Sequence, residues 1–278
     1  MDFITGEKIQ FLCNHFIGNE KDFKYNPNVN KFHKNKCMNM NTMNSEIENK
    51  MLVFCYTHLL DNLDFLISKL TYFKNPFILV FHNSDGCFKK EHLLLFDKLH
   101  LLEFIYTQNM DVIHSKVLPL PIGLGNSMWK HGKLDNINII YNLTLPKTED
   151  IFFNFQKGTN TRIRNECYDS ILKLGIPWIR KKPHMEYLKT LKQYKFCICP
   201  EGNGIDTHRF WECLYMNVIP ICKKNILVEH YSNYFHIIIV NDWSDINIDE
   251  LIYTYDKNIY TINHNLLDLH NLPPFQHS

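Results

Sequence analysis

The chain has 278 residues, 45% of them hydrophobic and 21% charged, with 30 basic against 29 acidic side chains. That is enough material for one large or two small globular domains, and the near-zero balance excludes a basic surface built for nucleic acid or an anionic membrane. No run is apolar for long enough to cross a bilayer, and the first twenty residues are too polar for a signal peptide. The nine cysteines are odd in number and lack framework spacing, which points to reduced thiols and a cytoplasmic location.

Residues 20–50 are rich in Lys and Asn and read as a surface excursion or a poorly ordered segment. Met51–Thr57 is a buried strand, followed by a helix near Leu60–Tyr72. Pro76–Phe81 is the next strand, with His82-Asn83-Ser84-Asp85-Gly86 as the loop after it. Glu91–Leu99 is helical, and Phe104–Gln108 and Val117–Pro121 are short strands. Asn142–Asp150 is the expected linker. Beyond it come strand Ile151–Phe155, helix Arg164–Leu174, a short strand at Trp178 and helix Met185–Tyr194, whose Leu188 and Leu191 share a face. Strand His236–Val240 and helix Ile248–Tyr255 close the second half. Strands alternating with helices imply parallel sheets with right-handed crossovers.

Phe196 to Cys222 is the most informative stretch. An apolar strand runs into Pro200, a loop with Gly202 and Gly204 follows, and Asp206-Thr207 offers an N-cap for a helix through Tyr215. A strand starts again at Val218. Glu201, Asn203, Asp206, His208, Arg209 and Glu212 therefore crowd the carboxyl end of a buried strand, where open α/β sheets bind ligands. Asp206 also fits a plain capping role, and Trp211 fits the core.

The chain holds four arginines, Arg162, Arg164, Arg180 and Arg209, all in one stretch of the second half. A guanidinium fork grips phosphate in a way a lysine does not. Lys157 to Arg164, with Thr159, Asn160, Arg162 and Arg164, follows a strand and opens a helix, an arrangement that suits an anion or a solvated turn. Arg209 and Glu212 lie almost one helical turn apart and can face one groove, as a phosphate and ribose contact or as a plain ion pair. Cys197-x-Cys199 reads as core rather than as a zinc half-site. No D-x-D occurs, the motif with which many sugar transferases bring a divalent metal to a diphosphate. No G-x-G-x-x-G occurs either, which weighs against an NAD-dependent enzyme.

Pro-Glu-Gly-Asn-Gly-Ile-Asp-Thr-His-Arg-Phe-Trp-Glu at 200–212, with Ile-Pro-Ile at 219–221, resembles the donor-site signature of exostosin-like glycosyltransferases. It is most similar to the short soluble forms encoded by large DNA viruses, which would place it in a host cytoplasm. The resemblance is strong over 160–222, weaker over 105–132, and does not reach the first fifty residues. It implies an α/β protein of GT-B type, two Rossmann-like domains facing an interdomain cleft. Residues 1–145 would form the acceptor side and 146–255 the nucleotide-sugar domain, with a tail from 256 to 278 crossing back. The donor, expected to be UDP-linked, would be held by Thr159, Asn160, Arg162, Arg164, Glu201, Asn203, Asp206, His208, Arg209 and Glu212, with Glu212 on the ribose. Gln108-Asn109 and Pro121–Asn126 would line the interdomain site. The base that takes the acceptor proton would come from the first domain, with Asp85 favoured and His58 and Asp61 as alternatives. The expected partners are a nucleotide sugar and a glycan, with no metal, nucleic acid or membrane insertion. A sugar-binding protein without catalysis is the other reading.

Overall fold

The computed structural model describes residues 1–18, 51–257, 260, 262–273 and 275. The expectation for residues 20–50 falls outside them. The chain divides into two compact units, Met1–Trp129 with Asp268–Ser278, and Lys130–Leu267.

The first unit contains α1 (Gly6–Leu12), β1 (His15–Ile17), β2 (Met51–Tyr56), α2 (Leu63–Leu70), β3 (Phe77–His82), α3 (Leu94–Lys98), β4 (Leu102–Thr107) and β5 (Val117–Pro119). Its five strands lie side by side in chain order, each parallel to the next. β2 and β3 are apolar nearly throughout and buried along almost their whole length, as central parallel strands covered on both faces must be. Right-handed crossovers in a sheet of sequential order all pass over the same face. The other face needs a separate cover. Leu52, Phe54, Ile78 and Val80 pack there against Ile4 and Ile9 from the start of the chain and against Leu269, Leu272 and Phe275. The returning segment is pinned by Asp2, whose N–H donates to the Asp268 carboxylate at 2.8 Å and whose carbonyl accepts from the Leu269 N–H at 2.9 Å. The crossing segment thus starts at Asp268 rather than at 256.

The second unit contains α4 (Leu134–Tyr141), β6 (Glu149–Phe152), α5 (Thr161–Lys173), α6 (His184–Leu191), β7 (Tyr194–Ile198), α7 (His208–Tyr215), β8 (Ile219–Lys223), α8 (Ile226–Tyr231), β9 (Ile238–Val240) and α9 (Ile248–Lys257). Its four strands are again parallel and in chain order. Ile151, Phe196, Ile198, Ile219 and Ile221 face Cys167 and Ile171 of α5, with Leu251 and Tyr255 of α9 packed on the same cluster. The division at 129/130 lies upstream of the linker expected at 142–150. The cause is α4, which is tied to the second unit where Lys192 Nζ donates to the Tyr141 carbonyl at 2.7 Å. Trp178 is not in a strand. Its ring sits edge-on to Phe153, 4.8 Å between centroids, while the next N–H, of Ile179, donates to the Phe153 carbonyl at 2.9 Å.

Among the described strands neither sheet reverses its order, so neither has the switch-point crevice of a doubly wound sheet. Loops still collect at the carboxyl ends of the strands. No described helix is long and apolar enough to cross a membrane.

Candidate functional site

In the first unit, His58 and Asp61 follow β2 and Asp85 follows β3, two strands paired in register from Met51↔Phe77 to Tyr56↔His82. All three side chains are exposed on the carboxyl edge of one sheet. A hydrogen-bonded network forms at the start of the loop after β3. His82 is buried and its Nε2 is 2.9 Å from the Pro121 carbonyl. The Asn83 N–H reaches His82 Nδ1 at 2.8 Å and Gln108 Oε1 at 3.1 Å. Asn126 Nδ2 donates to Asn83 Oδ1 at 3.0 Å, and its own Oδ1 accepts from the Glu7 N–H at 2.9 Å. Asn83 adopts φ +58°, a left-handed conformation that Asn tolerates better than most residues. Gly6 is required beside it, since a Cβ there would lie 1.8 Å from Asn83 Oδ1. Gln108 and Asn126, expected to line a site, therefore brace the loop after β3.

In the second unit the loops expected to meet do so. Asn160 caps α5, and its Nδ2 donates to the Gly202 carbonyl at 2.7 Å. Arg164 is buried, with Nε on the Glu201 carbonyl at 2.8 Å and Nη1 on the Gln156 carbonyl at 2.7 Å. It joins two loops through their backbones, which takes two of its five N–H donors. Burial, and then the nearby Arg209 charge, lower its value to about 10. Arg162, two residues earlier, is exposed and Thr159 is half-buried in the preceding turn. Asn203 is exposed at the loop tip. Glu201 accepts from Asn225 Nδ2 at 3.0 Å, and burial raises its carboxyl above the ordinary range.

Asp206 is not the helix cap. Thr207 holds that position, and both Asp206 oxygens take the Trp211 indole N–H, at 2.8 and 3.0 Å. Arg209 and Glu212 share a partner rather than a direct contact. Arg209 Nη1 donates to the Tyr187 hydroxyl at 3.1 Å, and that hydroxyl donates to Glu212 Oε2 at 2.8 Å. Glu212 Oε1 is 3.1 Å from His184 Nε2. Both oxygens of the expected ribose ligand are thus engaged from α6. Burial works against the Glu212 charge, but His184, Arg209 and Tyr187 outweigh it and hold the carboxyl below its ordinary value. Burial likewise opposes the Arg209 charge, and the ionised Glu212 carboxylate nearby helps to hold it. The Tyr187 phenol is pushed far up by burial, so it stays a donor.

His131 and His208 complete the group. The His131 ring lies 6.0 Å from that of His184 and 5.7 Å from that of His208, and burial, then His208, lower its value. His131, His184 and Tyr187 were not expected. Histidine and tyrosine three apart on α6, beginning at its first residue, were the available signal for two of them. Nothing in Lys-His-Gly singles out His131.

Next to the 201–207 loop is a cavity of about 200 Å³ bordered by Glu201, Asp206, Phe210, Lys223, Tyr231 and Trp243, among others. The Tyr231 hydroxyl and Trp243 Nε1, on two of these residues, are fully buried and without a partner among the described residues. Cys197 and Cys199 are joined in the core by Cys213, their sulfurs all within 4.8 Å. Burial, the largest cause, raises the Cys197 and Cys213 thiols well above the ordinary range, so the packing is that of neutral side chains. Neither models of known protein families nor curated proteins give a match to this chain.

Proposed function

We propose that the protein is a glycosyltransferase that moves a sugar from a nucleoside diphosphate, most simply UDP, to a hydroxyl of a glycan. In this reading the two units form a GT-B enzyme, and the second binds the donor. The observation that carries it is the convergence of Arg209, Arg164, His131, His184 and His208 in one unit, with Glu212 as the carboxylate engaged among them. Two guanidinium groups with imidazoles beside them suit an anion, and a diphosphate is the anion such a reaction releases. The adjoining cavity would take part of the nucleotide. Arg209 would hold the diphosphate. Arg164, with two of its donors taken by backbone, would support the loop that faces it. Asp85, or His58 or Asp61, would take the acceptor proton. With no D-x-D in the chain, Arg209 would offset the charge of the leaving group without a divalent ion.

A thermal-shift screen of nucleoside diphosphates and their sugars tests donor binding, since a ligand of the folded state raises its melting temperature. Release of UDP in the presence of glycan acceptors tests the reaction. A rise in Tm with UDP-sugars together with turnover supports the reading. Binding without turnover for any acceptor favours the non-catalytic sugar-binding protein, and no shift with any nucleotide rejects both.

A further inference from the structure

The cavity of the second unit opens among the segments that follow β7 and β8, and its lining says what suits it. Phe210, Tyr231 and Trp243 supply flat apolar wall. The two lysines that line it are engaged by carboxylates. Lys223 Nζ stands 2.6 Å from Glu166 and 3.2 Å from Asp242, and Lys224 Nζ stands 3.0 Å from Glu229. Neither is kept for a phosphate. A mostly apolar pocket with a few placed polar groups is the usual setting for a neutral ring.

Two of those polar groups have capacity to spare. Asn225 Nδ2 donates to Glu201 Oε1 at 3.0 Å, while Asn225 Oδ1 accepts from the Val228 N–H at 2.9 Å as the cap of α8. The cap fixes which end of the amide is the oxygen. Glu201 Oε2 has no hydrogen-bond partner among the described residues, and Asn225 keeps a second N–H. An acceptor and a donor therefore stand side by side in the lining. Glu201 is half-buried, where a donor from a ligand is worth more than in open water.

We propose that this cavity takes the base of the nucleotide and that Glu201 and Asn225 read its lactam edge: Glu201 Oε2 accepts the ring N–H, and Asn225 Nδ2 donates to the carbonyl beside it. The inference rests on the reading of the second unit as a nucleoside diphosphate site, and it names the bases that site accepts. Uracil and guanine carry a ring N–H next to a carbonyl. Cytosine and adenine show the reverse order, a ring acceptor next to an exocyclic amine, which sets acceptor against acceptor and donor against donor. Glu201 is then a specificity-determining residue. Phe210, on the wall of the base, is the neighbour of Arg209 on α7, so consecutive residues of one helix serve the base and the diphosphate.

The test is equilibrium binding of UDP, CDP, GDP and ADP to the full chain, with inorganic pyrophosphate as the base-free probe. Comparison within each ring size isolates the edge. UDP should bind about tenfold more tightly than CDP, and GDP than ADP, the size of one hydrogen bond to a charged group. Glu201→Gln should fold, because Arg164 holds residue 201 by its backbone carbonyl and Asn225 can donate to the Gln oxygen. That contact leaves the Gln amide N–H₂ for the cavity and replaces an acceptor by a donor. The preference for UDP over CDP should then fall by about tenfold. UDP methylated at N3 lacks the ring N–H and should bind the wild type about tenfold more weakly than UDP, an arm that decides if Glu201→Gln does not fold. Equal affinity within both pairs, a preference for the aminated bases, an unchanged ratio in Glu201→Gln, or N3-methyl-UDP bound as tightly as UDP overturns the proposal and leaves a diphosphate site standing. Failure to bind pyrophosphate and every nucleoside diphosphate removes the diphosphate reading itself, and this proposal with it.

Discussion

Asp206 holds the Trp211 indole N–H with both carboxylate oxygens, 2.8 and 3.0 Å away, on a ring with no exposed surface. The contact ties the end of the 201–207 loop to the buried side of α7. The helix that presents Arg209 and Glu212 is thereby fixed to the loop that borders the cavity.

Asp206→Ala should cost about 1–3 kcal/mol of stability, because it leaves a buried indole N–H unpaired. Urea unfolding followed by tryptophan fluorescence measures it. If Asp206 were only a cap, Asp206→Ser would restore full stability; with the indole as its partner, Ser should restore little, being too short to reach.

The two arginines should separate by phenotype. Arg164→Met strips the Glu201 and Gln156 carbonyls of their donors and should lower stability by about 2–4 kcal/mol, within the range for broken buried polar contacts. Arg209→Lys should leave Tm nearly unchanged and weaken UDP binding, since a point charge does not reproduce the fork. Thermal unfolding and UDP titration on both variants give the comparison, and equal effects on both readouts would reject the division of roles.

Glu212 makes stability depend on acid. Its folded carboxyl value lies below the ordinary 4.5, so the folded state holds fewer protons than the unfolded one. The resulting stabilisation is complete above the unfolded value and is lost as pH falls through the folded one. Unfolding curves between pH 6 and pH 3 should show the wild type losing its advantage over Glu212→Gln in that window. A constant difference would contradict the assignment.

Lys147 gives a dependence of the same sign at higher pH. Its ammonium donates to the Lys192 and Met216 carbonyls at 2.9 and 3.3 Å, and burial, with Lys192 nearby, lowers its value to about 7. Between about 7 and the ordinary 10.5 the unfolded chain binds the extra proton, so this group's contribution to stability rises with pH. The slope approaches about 1.4 kcal/mol per pH unit. Lys147→Met should remove that slope, as seen in the difference between variant and wild-type unfolding energies from pH 7 to pH 9.

The strands that were legible in the sequence are those buried on both faces. MLVFCY and FILVFH leave no polar position for a solvent side, and β7, α7 and β8 were marked by Pro200, the glycines and Thr207. The α1, β1, α4 and α8 segments were not legible. β1 has three residues, and α4 (LDNINIIY) is built from Asn and β-branched residues with poor helix preference, held by tertiary contacts instead. In the site, Arg209 and Glu212 could be placed on one helix by spacing. That they would meet at Tyr187, 22 and 25 residues away, depends on how α6 lies against α7, and no local pattern carries that.

The cover on the open face of the first sheet has a consequence for how the protein is made. Leu269, Leu272 and Phe275 complete the core that begins at Ile4 and Ile9. During synthesis these residues leave the ribosome only after the whole of Lys130–Leu267. The second unit can fold while the first still lacks the Leu269–Phe275 part of its cover, so the part made earlier is the part completed last. Until then the unfinished sheet is the surface most in need of a chaperone, and an arrest of synthesis before Asp268 would leave it exposed for good.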